Sequence, residues 1–73
     1  MHVMRILDQS GDTALEWDLR KKKTVEEVEK VFNEIVKQGF IAVRVDSPTE
    51  GEVIRKFDPT AKEIIVTAPM VGG

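Results

Sequence analysis

Thr24-Val25-Glu26-Glu27-Val28-Glu29-Lys30-Val31-Phe32-Asn33-Glu34-Ile35-Val36-Lys37-Gln38-Gly39 decides the fold class. Val25, Val28, Val31, Phe32, Ile35 and Val36 recur at helical spacing and form one apolar stripe. Thr24 followed by Glu27 is a capping-box pattern: the threonine oxygen takes an amide hydrogen of the first turn, and the glutamate reaches back. Glu26 and Lys30 can pair one turn apart on the outer face. Gly39 supplies the left-handed residue that ends the helix. Valine and isoleucine are indifferent helix formers, so packing of the stripe must supply most of its stability. One helix covers one face of a sheet, and the class is therefore α+β in two layers.

The rest of the chain supplies the sheet. Val3–Asp8 is compatible with a strand, although Met4/Ile6 and Val3/Leu7 compete for its inner face. Thr13–Asp18 alternates, with Thr13, Leu15 and Trp17 on one side. The short polar linker Gln9-Ser10-Gly11-Asp12 between them predicts a β-hairpin. After the helix, Phe40–Asp46 is a strand with Ile41, Val43 and Val45 on one face. Residues 47–51 are a loop by composition. Glu52–Phe57 is a weaker strand whose charges suit an exposed edge. Asp58-Pro59-Thr60-Ala61 predicts a turn. Glu63–Ala68 is the most apolar strand and suits the sheet interior. The helix stripe is then expected to cover Leu15, Trp17, Ile41, Val43, Val45, Ile64 and Val66.

Composition removes several classes of function. The chain has 73 residues, which is one domain's worth of core. Apolar residues make up 41% and charged residues 33%, as in a globular chain, and the net charge of -2 argues against general nucleic-acid binding. There is no cysteine, which removes disulfides, thiolate metal sites and thiol nucleophiles and favours a reducing, cytoplasmic setting. No apolar run reaches a membrane span, and no signal-peptide pattern opens the chain. The single histidine, His2, stands near the chain start and is expected to be solvated. Ser10 and Ser47 are both in turn-like surroundings, and a serine nucleophile needs a base placed beside it. No catalytic residue is therefore expected, and no cofactor. Met1-His2-Val3 is either a native start or a remnant ahead of Met4.

A hairpin, one helix, further strands, and a final apolar strand running into Gly72-Gly73 resemble the β-grasp fold of ubiquitin-like proteins. In that family the last strand lies parallel to the first at the sheet centre, and a tail projects from it. The ending Ala68-Pro69-Met70-Val71-Gly72-Gly73 is similar to the Pro-containing diglycine tails of sulfur carriers such as the small subunit of molybdopterin synthase. It is less like the Arg- and Leu-rich tail of ubiquitin. The resemblance implies a β-grasp domain over residues 1–69 and a flexible tail over 70–73. It implies a terminal Gly73 carboxylate adenylated by an activating enzyme, Gly72 as a slim neck, and Met70 and Val71 as apolar contacts for that partner. Residues without a Cβ allow a close approach to phosphate. The activated carboxylate would pass to a lysine of an acceptor protein or become the thiocarboxylate used by a sulfur-accepting synthase. The tail leans to the second, or to the simpler prokaryotic-type modifiers.

Ubiquitin-like proteins also recruit partners through an apolar patch on the sheet face away from the helix. Phe40, Ala42, Ile65 and Thr67 fall on that face in the strand frames above and form the candidate docking patch; ordinary scattered surface apolar atoms are the alternative. The remaining features are ordinary. Arg20-Lys21-Lys22-Lys23 is expected to be a solvated loop, and Trp17 a core residue. Asp8, Asp12 and Asp46 match no metal-loop spacing, so no metal site is assigned. Of seven lysines, Lys56 and Lys62 are expected to be exposed. A non-conjugating β-grasp interaction domain or small structural subunit is the second reading of the whole.

Overall fold

The computed structural model describes residues 1–8 and 11–69. Its elements run β1 (His2–Asp8), β2 (Gly11–Trp17), α1 (Lys22–Lys37), β3 (Ile41–Ser47), β4 (Glu50–Ile54) and β5 (Glu63–Thr67). The strands form one mixed sheet in the order β2-β1-β5-β3-β4, and α1 packs on one face of it. β1 pairs antiparallel with β2 and parallel with β5, which pairs antiparallel with β3. The most apolar strand is therefore central, as its composition predicts. Among the described residues no helix is long and apolar enough to cross a membrane.

Register settles which side chains face the helix. Met4 stands opposite Leu15 and Ile64, and Ile6 opposite Val66. Met4, Trp17, Phe32, Ile64 and Val66 are fully buried, so the first strand takes the Met4/Ile6 frame. In β3 the frame is the reverse of the expected one. Ala42 pairs with the buried Val66 and is itself only 1% exposed, whereas Ile41 is 45% exposed. Ile41, Val43 and Val45 thus point away from the helix. A methyl group at Ala42 fits beneath the helix, and Arg44, next on that side, is taken up by a cluster of carboxylates.

Element ends also differ from expectation. α1 begins at Lys22, inside the basic run, and Lys21 at its N-cap makes no side-chain capping bond. The Thr24 hydroxyl lies within the first turn. It donates to the Lys21 carbonyl at 2.7 Å and accepts the Asp18 amide at 2.9 Å, which ties the end of β2 to the helix. At the other end Gly39, at φ 100°, donates to Val36 O and Phe40 N–H donates to Ile35 O, a Schellman closure. β4 starts two residues early because Pro48 and Thr49 make a tight turn, with Ser47 opposite Glu50 and a bulge between Val45 and Ser47. It ends at Ile54, and Arg55–Lys62 then crosses back toward β5.

That crossing carries Phe57 into the core. Phe57 meets Trp17 edge-on at 5.0 Å and Phe32 at 5.6 Å. Trp17 Nε1 donates to Pro59 O at 2.9 Å. His2 is not the free side chain expected. Its ring stacks on Trp17 at 5.3 Å, and its Nδ1 donates to Ala61 O at 2.6 Å. A carbonyl can only accept, so Nδ1 carries the hydrogen.

Candidate functional site

The sheet face opposite α1 has no covering layer. Strand alternation places Arg5, Leu7, Ile41, Val43, Val53, Glu63, Ile65 and Thr67 on it. Ile65 is flanked by Arg5 and Val43, and Thr67 by Leu7 and Ile41. The face is therefore divided. At the end where β5 begins, Arg5 donates to Glu63 at 2.7 Å. At the end where β5 finishes, Leu7, Ile41, Val43, Val53 and Ile65 form an apolar strip. Val53 is 63% exposed, and Gly51 beside it lets the sheet close up: a Cβ there would come within 2.9 Å of Val43 Cγ1.

The strip lies where the chain leaves the sheet. Ala68 donates its amide to Leu7 O at 3.4 Å, and Pro69 passes the helix end, with its Cγ 3.9 Å from where a Cβ on Gly39 would stand. Of the residues singled out from sequence, Ile65 and Thr67 sit on this open face. Ala42 does not: it is buried under the helix and can take no part in a docking patch. Phe40 is also misplaced, since it packs against the core at the helix C-terminus. Ile41 and Val43 take their places, a one-residue change of frame. Met70, Val71, Gly72 and Gly73 lie outside the described residues.

The opposite face holds the strongest electrostatic grouping. Arg44 donates to Asp46 at 3.0 Å, Glu52 at 2.8 Å and Asp58 at 3.0 Å. Its hydrogen bonds to Asp58, then to Asp46, hold the guanidinium proton even more firmly than usual. Asp58 is held below the ordinary carboxylate value of 3.8, first by the Thr60 hydroxyl, then by the Thr60 amide and Arg44. This grouping pins the Arg55–Lys62 crossing to the sheet. Within it the Thr60 hydroxyl donates to the Asp58 carboxylate at 2.6 Å. Among the described residues no cluster of three or more histidine and carboxylate side chains is placed to hold a metal ion. The basic run is split: Arg20 turns back on Asp18, while Lys22 and Lys23 enter the helix.

Comparison with family models, with curated proteins and with solved structures finds no match to this chain.

Proposed function

We propose that this chain is a ubiquitin-like carrier of the β-grasp type, a substrate of an activating enzyme and not itself an enzyme. In this reading the Gly73 carboxylate attacks the α-phosphate of ATP on a ubiquitin-activating-type enzyme. An acyl-adenylate forms and pyrophosphate leaves. A protein amine then displaces AMP to give an amide, or a sulfur donor displaces it to give a thiocarboxylate. The chemistry takes place at a cytoplasmic partner's active site; the carrier contributes the carboxylate, the narrow Gly72-Gly73 neck and the apolar Met70 and Val71.

The observation that carries the proposal is the placing of β5. It lies at the sheet centre, parallel to β1, and its end at Thr67 stands beside an open apolar strip, five residues in sequence before Gly72-Gly73. This agrees with the strand arrangement that the ubiquitin-like resemblance implies. The strip favours a second reading, a non-conjugating interaction module that works through the open face alone, since exposed Ile41 and Val53 offer an anchor without any tail chemistry.

The two readings separate in one experiment. An N-terminally tagged protein, intact or lacking Gly73, is recovered from its native host and examined by blot and intact mass. Activation predicts a ladder of heavier species, or a mass gain equal to exchange of oxygen for sulfur, in the intact form only. The ladder identifies a modifier and the exchange a sulfur carrier. Identical profiles for the two forms would overturn activation and leave the interaction module.

A further inference from the structure

β4 is the last strand in the sheet order, so only one of its sides is paired. The amides and carbonyls along its other side face outward. Edges are usually blunted by proline, by an inward charge or by a covering segment. β4 has no proline, and its two carboxylates, Glu50 and Glu52, are both toward the hairpin tip. Glu52 is in addition drawn to Arg44. The Val53–Ile54 end is bare. There a groove of about 490 Å³ opens between the helix C-terminus and the sheet, lined by Val36, Phe40, Ile41, Val53, Ile54 and Arg55. A second hollow of about 540 Å³, reaching to Phe57 and Pro59, shares Val53, Ile54 and Arg55 with it. The free edge thus has concave apolar space along its outer end.

Charge gives this edge a direction. Glu50 marks one end, and Arg55 and Lys56 follow the other. Both of these cations are exposed, and among the described residues neither side chain has an ion-pair or hydrogen-bond partner. We propose that the β4 edge is a docking site for an extended segment of a partner protein, which adds to the sheet as a further strand. The segment carries alternate apolar side chains for the groove and a carboxylate that meets Arg55 and Lys56. Main-chain bonds supply the grip, and the groove and the cations select the sequence. This inference is independent of Gly73 and stands or fails apart from the activation chemistry.

The test uses the full chain and a blocked synthetic peptide of lysine, threonine, valine, threonine, valine and two aspartates. Amide chemical shifts are followed as the peptide is raised to millimolar concentration. The expected changes centre on Val53, Ile54 and Arg55, with Phe40 and Ile41 following. A peptide N-methylated at alternate core amides should fail to bind, since it keeps the side chains but loses the ladder. Arg55→Glu, at an exposed position, should weaken binding roughly three- to tenfold, and a peptide ending in lysines should recover it. Equal binding by the N-methylated peptide would overturn strand addition. So would shifts confined to Leu7 and Ile65, no shifts at all, or concentration-dependent shifts at Val53 without peptide, which would point to a second copy of this chain.

Discussion

Ala42 shows how much one residue decides. β3 offers two frames, Ile41/Val43/Val45 and Ala42/Arg44/Asp46, and hydrophobicity alone favours putting the first inside. The structure turns the second toward the helix side, because space under the helix at Ala42 suits a methyl group, while the half-buried Arg44 finds its partners in Glu52 and in Asp58 of the crossing segment. Periodicity reveals the period of a strand, but its phase depends on what lies across it. Ala42→Leu should therefore destabilise by roughly 1–3 kcal/mol through overpacking. Ile41→Ala should change stability by only about 0.5 kcal/mol. Urea unfolding of both variants checks this, and the opposite ranking would return β3 to the other frame. Leu15, Trp17, Ile64 and Val66 were legible from sequence because their neighbours give the alternation only one sensible phase. His2 was not: its partners, Trp17 and Ala61, are far along the chain, and no local pattern announces them.

At the scale of elements, the helix is held differently at its two ends. The apolar stripe and the closing glycine follow directly from the spacing of residues 25–39. The start does not, because the Thr24-Glu27 pattern is displaced by a longer-range arrangement. Asp18 accepts the Arg20 amide at 2.9 Å with its carboxylate, its carbonyl accepts the Lys21 amide, and its own amide goes to Thr24. Thr24→Val keeps the shape and removes the hydroxyl; it should cost about 1 kcal/mol and speed hydrogen exchange at the Asp18 amide. Gly39→Ala forces a side chain onto a backbone at φ 100° and should cost about 1 kcal/mol or more. Thermal unfolding of the two variants tests both ends. A Gly39→Ala protein as stable as the parent would show that the Schellman closure is dispensable. β4 was harder to place from sequence for a related reason: Glu50 and Gly51 look like loop residues, yet the Pro48-Thr49 turn draws both into the ladder.

Over the whole molecule, the small net charge of -2 hides a concentrated acidic grouping around Arg44. Asp58 and Asp18 both have folded-state values below 3.8, Asp58 chiefly through Thr60 and Asp18 chiefly through the Arg20 amide. A carboxyl depressed by folding binds protons more readily in the unfolded chain. Its contribution is complete above about pH 3.8 and is lost as pH falls through the lower folded value. Chemical denaturation across an acid series should show stability falling below that point, with a shallower fall for Asp58→Asn; equal slopes would remove Asp58 from the account. The two-layer α+β architecture was legible from the order of elements, and the central place of the last strand from its apolar composition. The crossing segment was not, since Phe57 and Arg44 act through contacts that no spacing encodes. The central place of β5 also governs how the molecule comes into being. Without it, β1–β2 and β3–β4 are separate ribbons with no shared edge. On the ribosome, two hairpins and an amphipathic helix must wait, each with an apolar side uncovered, until residues 63–67 emerge to join them. Completion of the sheet is thus a single event that waits for its last strand, and the interval before it is when the nascent chain most needs protection from wrong partners.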